Sequence, residues 1–379
     1  MRPIRFIHTS DVHLDTSFSA SGFPARLGLR KREAIRATFR RILEDARTES
    51  VDMVLIAGDL FEHDRVTPDT VEFLKQQFSA MGSIRVFIAP GNHDPFIQGS
   101  PYREESWPGN TRIFSSEEFQ TVEMPELGAR VAGCGFTRAQ VQEHLFNRLR
   151  PMPAEGFNIV VAHGSDLARV PGGKFSHGPL TIDEVAGKNV HYCALGHYHE
   201  QRPVENAIDG AEVWYSGIPE GRGWDEEGDR GYLLVEVADG KVRVARRVCN
   251  QYPLRTLEMD CDEFTSREQI VDAIRAHSAL DHSTILRIRL LGAVDPRLDV
   301  SISELEARLA DETLQIFFED QTMPALDYSA IADENTLRGR FARAMNARIE
   351  KASGRERVVL ERARLYGLEA LQGREVRLK

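Results

Sequence analysis

The 379-residue sequence predicts a layered α/β protein, followed by a smaller α+β domain and a helical tail. Three observations carry this prediction. The first half alternates short β-rich runs with helical stretches, as expected for a layered core around a sheet. Near residue 253 a compact β-α-β-α-β pattern starts afresh. From residue 333 the chain reads as helical and is rich in Arg, Ala, Leu and Glu.

Each element has its own signal. Ile4-Arg5-Phe6-Ile7-His8 reads as the first strand. Residues 30–49 read as a helix, because Ile35, Phe39, Ile42, Leu43 and Ala46 recur at helical spacing. The continuous apolar run Asp52-Met53-Val54-Leu55-Ile56-Ala57 suits a strand covered on both faces. Thr67-Pro68 opens a second helix with proline at its first position and Val71, Leu74, Phe78 and Met81 on its buried face. Residues 84–89, 129–134, 157–162 and 190–195 read as strands, and 139–149 as a helix. Residues 212–216 and 231–248 read as antiparallel strands, the latter a hairpin turning at Asp239-Gly240. In the small domain, 254–259, 284–291 and 314–319 are strands, and 266–277 and 301–310 helices. Met323-Pro324 reads as a linker.

Composition narrows the function classes. Apolar residues make up 41% and charged residues 28%, ordinary globular values. No apolar run reaches the ~18–20 residues of a membrane span. The first residues enter a strand pattern directly, with no secretory-leader core, so no export is expected. Cys134, Cys193, Cys249 and Cys261 form no C-x-x-C pair and suit buried thiols in a reducing cytoplasm. The net charge of −10 excludes a large uniformly basic surface. Residues 331–379 nevertheless hold 12 Lys/Arg against 7 Asp/Glu. That basic tail suits phosphates or an acidic partner, and equally a solvated helix surface.

Five short patterns carry the chemistry: Asp11-Val12-His13, Gly58-Asp59, Gly91-Asn92-His93-Asp94, Val161-Ala162-His163-Gly164 and Gly196-His197-Tyr198-His199. Each follows an apolar strand-like run, which places it on a loop at a strand's carboxyl end. Carboxylate, amide oxygen and imidazole together suit manganese, iron or zinc better than magnesium or calcium alone. Two such metals about 3.5–4 Å apart clamp an in-line displacement at phosphorus, and a bridging water supplies the nucleophile. Asp59 is the natural bridging carboxylate. Glycines 58, 91 and 196 let the chain turn sharply. His197 and His199, two apart, share one face of an extended backbone, so that each serves a different metal.

This set resembles the calcineurin-type metallophosphoesterases and, more closely, the SbcD-type DNA repair exonucleases, including their YhaO-like bacterial branch. Ser10-Asp11-Val12-His13-Leu14, Gly58-Asp59-Leu60-Phe61, Pro90-Gly91-Asn92-His93-Asp94 and Gly196-His197-Tyr198-His199 match that family. So do Tyr215-Ser216-Gly217-Ile218-Pro219, Gly221-Arg222-Gly223 and Asp229-Arg230-Gly231-Tyr232. The resemblance implies a β-sandwich nuclease core flanked by helices over 1–250 and a small α+β capping domain over 253–328. It also implies a helical segment over 333–379 that holds an SbcC-like coiled-coil ATPase. DNA is the implied substrate, cleaved in DNA repair, and a homodimer is implied. The implied cofactor is two divalent metals, manganese foremost, with iron, zinc or magnesium as alternatives. Asp11, His13, Asp59 and His199 would hold one metal; Asp59, Asn92, His163 and His197 would hold the other. His93 would steady charge on the phosphate or protonate the leaving oxygen. Asp94 would orient His93 or cap the following turn. Glu62 departs from the pattern: some of these nucleases carry a second phosphate-facing histidine there, a place His63 can take.

Other readings stand beside this one. A metallophosphoesterase acting on phosphoproteins, cyclic nucleotides or lipid-linked pyrophosphates shares the motifs. However, Leu60-Phe61-Glu62-His63-Asp64-Arg65 breaks the Asp-Arg-Gly pattern of the protein phosphatases. A non-catalytic, metal-stabilised subunit of an ATPase is the third reading. A −10 chain is expected to bind DNA weakly alone and to borrow basic surface from a partner. His8, His177 and His191 read as strand, loop and strand-edge residues. Tyr198 stacks or packs; Tyr102, Arg103 and Trp107 form a packed loop or meet a base; Arg222 and Arg230 meet phosphate or form structural ion pairs.

Overall fold

Short apolar runs become the central strands of two packed sheets. In the computed structural model, which describes residues 3–19, 22–170, 176–204, 210–277, 280–295, 298 and 300–372, the chain divides into two compact units. The first unit runs to Arg255 and includes Ser283–Ile285. Its elements are β1 (Ile4–Thr9), α1 (Ala25–Thr48), β2 (Met53–Ile56), α2 (Pro68–Ser79), β3 (Arg85–Ile88), α3 (Pro101–Glu104), β4 (Thr111–Ile113), β5 (Gln120–Met124), β6 (Ala129–Gly133), β7 (Phe157–His163), β8 (Tyr192–Gly196), β9 (Arg202–Pro203), β10 (Glu212–Tyr215), β11 (Gly231–Ala238) and β12 (Lys241–Val248). One six-stranded sheet has the order β12-β11-β1-β2-β3-β4, the other β5-β6-β7-β8-β10-β9.

The mixed α/β sandwich follows from which side chains each strand must bury. Phe6, Leu55, Phe87, Ile159, Val161 and Tyr192 form the core between the sheets. Ile35, Phe39, Ile42 and Leu43 of α1 join Leu74 and Phe78 of α2 over the outer face of the first sheet. Thr67 caps α2, its hydroxyl accepting the Thr70 N–H at 3.3 Å. Every residue of β2 and β7 is buried, which matches strands covered on both faces.

Three local expectations need correction. Residues 139–149 form only one 3₁₀ turn, Leu145–Arg148, because the Val141 carbonyl accepts the Gly178 N–H at 2.7 Å instead of a helical partner. The apolar residues of that stretch are still buried, under the second sheet. β10 pairs antiparallel with β9, Trp214 opposite Pro203, as expected, but its other edge pairs parallel with β8, Glu212 opposite Tyr192. The hairpin β11–β12 is antiparallel as expected.

The second unit comprises Thr256–His282 and the chain from Leu286 onward. Its elements are β13 (Leu254–Asp260), α4 (Arg267–Arg275), β14 (Ile285–Leu291), β15 (Ala293–Val294), α5 (Ile302–Leu309), β16 (Gln315–Asp320), β17 (Met323–Pro324), α6 (Tyr328–Asp333), α7 (Leu337–Ile349) and α8 (Gly354–Leu371). A three-stranded sheet, β13-β14-β16, packs Leu286, Ile288 and Leu290 against Ile270, Ile274, Leu305 and Leu309 of its two helices. Met323-Pro324 is the third correction: it is a strand paired parallel with β15, not a linker, with Met323 N–H on the Gly292 carbonyl at 2.8 Å. The C-terminal tail is helical; α7 and α8 pack through Met345, Ile349 and Leu360. Residues 373–379 of the expected tail lie outside the described residues. No helix among the described residues is long and apolar enough to cross a membrane.

One buried ion pair ties α1 to the loop before β11. Lys31 Nζ and Glu220 Oε1 are paired with both residues fully buried. Glu220 also accepts from Thr38 Oγ1 at 2.9 Å and from the Gln251 and Tyr252 N–H groups at 2.5 and 3.2 Å. Removing one partner strands the other charge in the core. Lys31→Met is therefore expected to cost about 3–5 kcal/mol of unfolding free energy, measurable as a lowered urea midpoint.

Candidate metal centre

β1, β2 and β3 are parallel neighbours, so their carboxyl ends share one edge of the first sheet. β7 and β8 are parallel neighbours in the second. The loops leaving these five strands converge. The structure brings together Asp11, His13 and His199 in one cluster and Asp59, His163 and His197 in another. His13 also clusters with Glu62 and His93.

The geometry has the features of a paired cation site. Asp59 Oδ2 lies 3.3 Å from His163 Nε2 and 4.0 Å from His13 Nε2, between the two groups. Its other oxygen is occupied, accepting the His93 N–H at 2.8 Å. Asn92 Oδ1 lies 3.1 Å from His163 Nε2. His199 Nε2 lies 3.8 Å from Asp11 Oδ1. Ligands about 2.0–2.2 Å from one ion sit roughly 3–3.5 Å apart, so these separations fit a metal with little movement.

The outer nitrogens fix the tautomers. His13 Nδ1 lies 2.8 Å from Glu62 Oε1, His163 Nδ1 2.8 Å from the Ala57 carbonyl and His199 Nδ1 2.6 Å from Glu226 Oε1. Carbonyls and carboxylates only accept, so each Nδ1 carries the proton and each Nε2 turns inward. His13 Nε2 is buried with no hydrogen-bond partner. An orphaned buried nitrogen among converging acceptor oxygens is what a cation would satisfy, and the donor set fits a dinuclear centre.

The backbone is strained where these side chains emerge. Asp11, His13, Asp59 and His197 account for four of the eight non-glycine residues with positive φ among the described residues. Such strain persists only where surrounding contacts impose it. His197, at φ 108°, is therefore not on an extended run with His199, although the two rings do reach different clusters. Of the three motif glycines only Gly58 has positive φ, at 87°. At Gly196 the constraint is close approach: a Cβ there would lie 1.9 Å from the Ala57 carbonyl.

Charge in the site is settled by pairing against burial. Burial alone would raise Asp59, but the facing His163 holds its carboxyl well below the usual range. His163 is buried yet pushed up to about 9 by Asp59. His197 is pushed down to about 3 by burial and by the nearby His163. His13 falls to about 4, chiefly by burial. His93 is pushed up to about 9, the Glu62 carboxylate outweighing burial.

Glu62, not Asp94, holds His93. Glu62 Oε2 lies 2.7 Å from His93 Nδ1 while its other oxygen serves His13. Asp94 is fully buried and accepts the N–H groups of Asp59, Leu60 and Gly91 and the Tyr102 hydroxyl at 2.7–2.9 Å. That carboxylate is spent on the loops and makes no bond to His93. His63 joins none of the donor clusters among the described residues.

The remaining residues sort by contact. Tyr102 is buried, and Trp107 donates to the Pro101 carbonyl at 3.1 Å, so both pack. His8 is buried between the Tyr192 hydroxyl and the Leu195 carbonyl, and His191 accepts the Asn158 N–H. Arg230 donates to the His199 carbonyl at 2.8 Å. Arg222 pairs with Glu226 at 3.0 Å and approaches Glu62 at 3.8 Å. Tyr198, for which stacking and packing both stood, and His177, expected in a loop, line a cleft of about 670 Å³ with Asp59, Asn92 and His93. The His177 ring lies 5.6 Å from that of His197. Sequence reasoning missed Glu226 altogether, since 27 positions separate it from His199 and no periodicity links them.

Fold and site together define a metallophosphoesterase. A model of the calcineurin-like phosphoesterase family matches residues 4–201, more than half the chain, and the chain belongs to that family. It is 31% identical over 245 residues to the uncharacterized metallophosphoesterase YhaO of Bacillus subtilis, covering 63% of this chain and 59% of that protein. It is 25% identical over 374 residues to the DNA double-strand break repair protein Mre11 of Methanopyrus kandleri, covering 89% and 78%. Against the Mre11 of Haloferax volcanii the figures are 28% over 297 residues, 75% and 61%. The chain thus spans about three fifths of the Bacillus and Haloferax relatives. Among solved structures, a dimetal phosphatase from Danio rerio aligns at 12% identity and TM-score 0.43, covering 65% of this chain and 96% of that one.

The two acidic residues are separable by experiment. Glu62→Ala is expected to weaken binding of a divalent metal, titrated calorimetrically, about 10–100-fold while leaving the thermal midpoint nearly unchanged. Asp94→Ala leaves buried N–H groups unmatched and is expected to lower unfolding free energy by about 3 kcal/mol or more.

Proposed function

We propose that this chain is a manganese-dependent DNA phosphodiesterase of the SbcD type, acting in DNA repair. One observation carries the reading: similarity to a DNA double-strand break repair protein runs over 89% of the chain, well past the residues 4–201 that any calcineurin-like phosphoesterase shares. In this reading Asp11, His13, Asp59 and His199 would hold one metal, and Asp59, Asn92, His163 and His197 the other, with Asp59 common to both. When bound, the two metals supply Lewis acidity at phosphorus and a water of lowered pKa.

The chain's own residues do the rest. Glu62 and Glu226 keep three imidazoles aimed inward. His93, 43% exposed at its side chain and tethered at Nδ1 by Glu62, presents its other nitrogen to the cleft. There it steadies charge on the phosphate or protonates the leaving oxygen. The reading assigns 1–250 to the nuclease domain and 253–328 to a cap. It assigns 333–379 to a segment that holds a coiled-coil ATPase of the SbcC type. The exposed Leu337, Val358 and Val359 on α7 and α8 support an apolar partner there. A homodimer belongs to the same reading.

The test is cleavage of end-labelled DNA with manganese, by the intact chain and by His93→Ala, with metal content measured in both. The intact chain is expected to cut; the variant keeps its metals and loses about 10²–10⁴-fold in rate. Chelation is expected to abolish cleavage and added manganese to restore it. Hydrolysis of a small phosphodiester without cleavage of DNA would overturn the substrate and leave the chemistry. Metal binding with no hydrolysis of either would favour a non-catalytic subunit.

A further inference from the structure

Helix α1 has a charge balance opposite to that of the chain. Its 24 residues hold seven arginines and one lysine against Glu33, Glu44 and Asp45, a net of +5 in a chain of −10. The lysine is the buried partner of Glu220, so every exposed cation on the helix is an arginine. Arg36 is engaged by Asp69 at 2.5 Å, and Arg41 lies 4.0 Å from Asp45. Arg26, Arg30, Arg32, Arg40 and Arg47 have no carboxylate partner among the described residues. The exposed Glu33 and Glu44 share this helix surface, which is therefore mixed in charge with arginine in excess.

The arrangement is directional. At 100° per residue, Arg26, Arg30, Arg36, Arg40 and Arg47 fall within an arc of about 120° that also holds Glu33 and Glu44, a net of +3, opposite the buried Ile35, Thr38, Phe39 and Ile42. Arg26 and Arg47 are about 31 Å apart along the axis, close to one turn of duplex DNA. The guanidinium groups of Arg36 and Arg40 lie 5.0 and 5.4 Å from the Phe73 ring centroid, which restrains both. The amino-terminal end of the helix packs against the loop that carries Glu226. Phe23 meets Trp224 at 5.9 Å between ring centroids and Lys31 meets Glu220, on the loop that continues to Glu226 and thus to His199.

We propose that the exposed arginine ridge of α1 is a phosphate track that holds the backbone of duplex DNA and leads it to the metal centre. This rests on the DNA reading above. A planar guanidinium fork matches phosphate oxygens, and a row of them without base-reading loops gives sequence-independent grip. A membrane surface would call for an apolar stripe beside the cations. Here Leu29 is the one large apolar side chain exposed on the helix.

The experiment uses the full chain. Arg26, Arg30 and Arg40 are replaced together by alanine, a residue that favours helix. Duplex binding is followed by fluorescence anisotropy across salt concentrations, beside manganese-dependent hydrolysis of a small phosphodiester. The expected result is binding weakened at least about tenfold at 0.1 M salt, a log–log salt slope shallower by about 2–3, and unchanged hydrolysis of the small ester. Arg355→Ala, Arg357→Ala and Arg362→Ala on α8, the same change in net charge, should weaken binding less than threefold. Equal losses for both triple variants, or none for the α1 variant, would overturn the ridge while the DNA reading stands. An intact chain that hydrolyses the small ester and binds anionic vesicles or acidic protein but no duplex overturns both.

Discussion

The buried carboxylate of Asp94 is the constraint on which the site depends. It gathers three backbone N–H groups from two loops and the Tyr102 hydroxyl, and so locks the turn after β2 against the turn after β3. Asp59 sits inside that clamp at φ 54°, a conformation a non-glycine residue keeps only when its neighbours enforce it. With the backbone held, one Asp59 oxygen takes the His93 N–H and the other faces both imidazole groups.

Around that clamp the protein concentrates groups that repel one another. Asp11, Asp59, Glu62 and Glu226 lie near five histidines in a space lined by strand ends from both sheets. The outer nitrogens of His13, His163 and His199 are each tied to an oxygen that cannot donate, so lone pairs are forced inward. The fold invests its strain and its desolvation in one place, and the Lys31–Glu220 pair anchors the loop that supplies Glu226.

Much of the first unit was legible because its signals are local. β2 and the helices α1 and α2 follow from apolar spacing and a Thr-Pro start, and the five motif loops lie at strand ends. The failures share a cause. The 139–149 stretch has helical spacing, yet a tertiary hydrogen bond from Gly178 claims its backbone. Met323-Pro324 has no strand signature, and its pairing is imposed by β15. That Glu62 serves two histidines was not legible, because those partners lie 49 and 31 positions away.

The sequence by itself determined which residues are chemically able to hold metal and where along the chain they emerge, because donor type and strand-end position are local properties. It also determined the layered α/β class and the separate β-α-β-α-β pattern. Only the tertiary structure decided which donors share a cluster, that Asp94 supports loops while Glu62 orients His93, and that Glu226 backs His199. It alone also shows the arginines of α1 that meet no carboxylate among the described residues, on a helix beside the loop that reaches the site. These are relations between groups distant in the chain, and distance in sequence carries no angle, no burial and no partner until the sheets have packed.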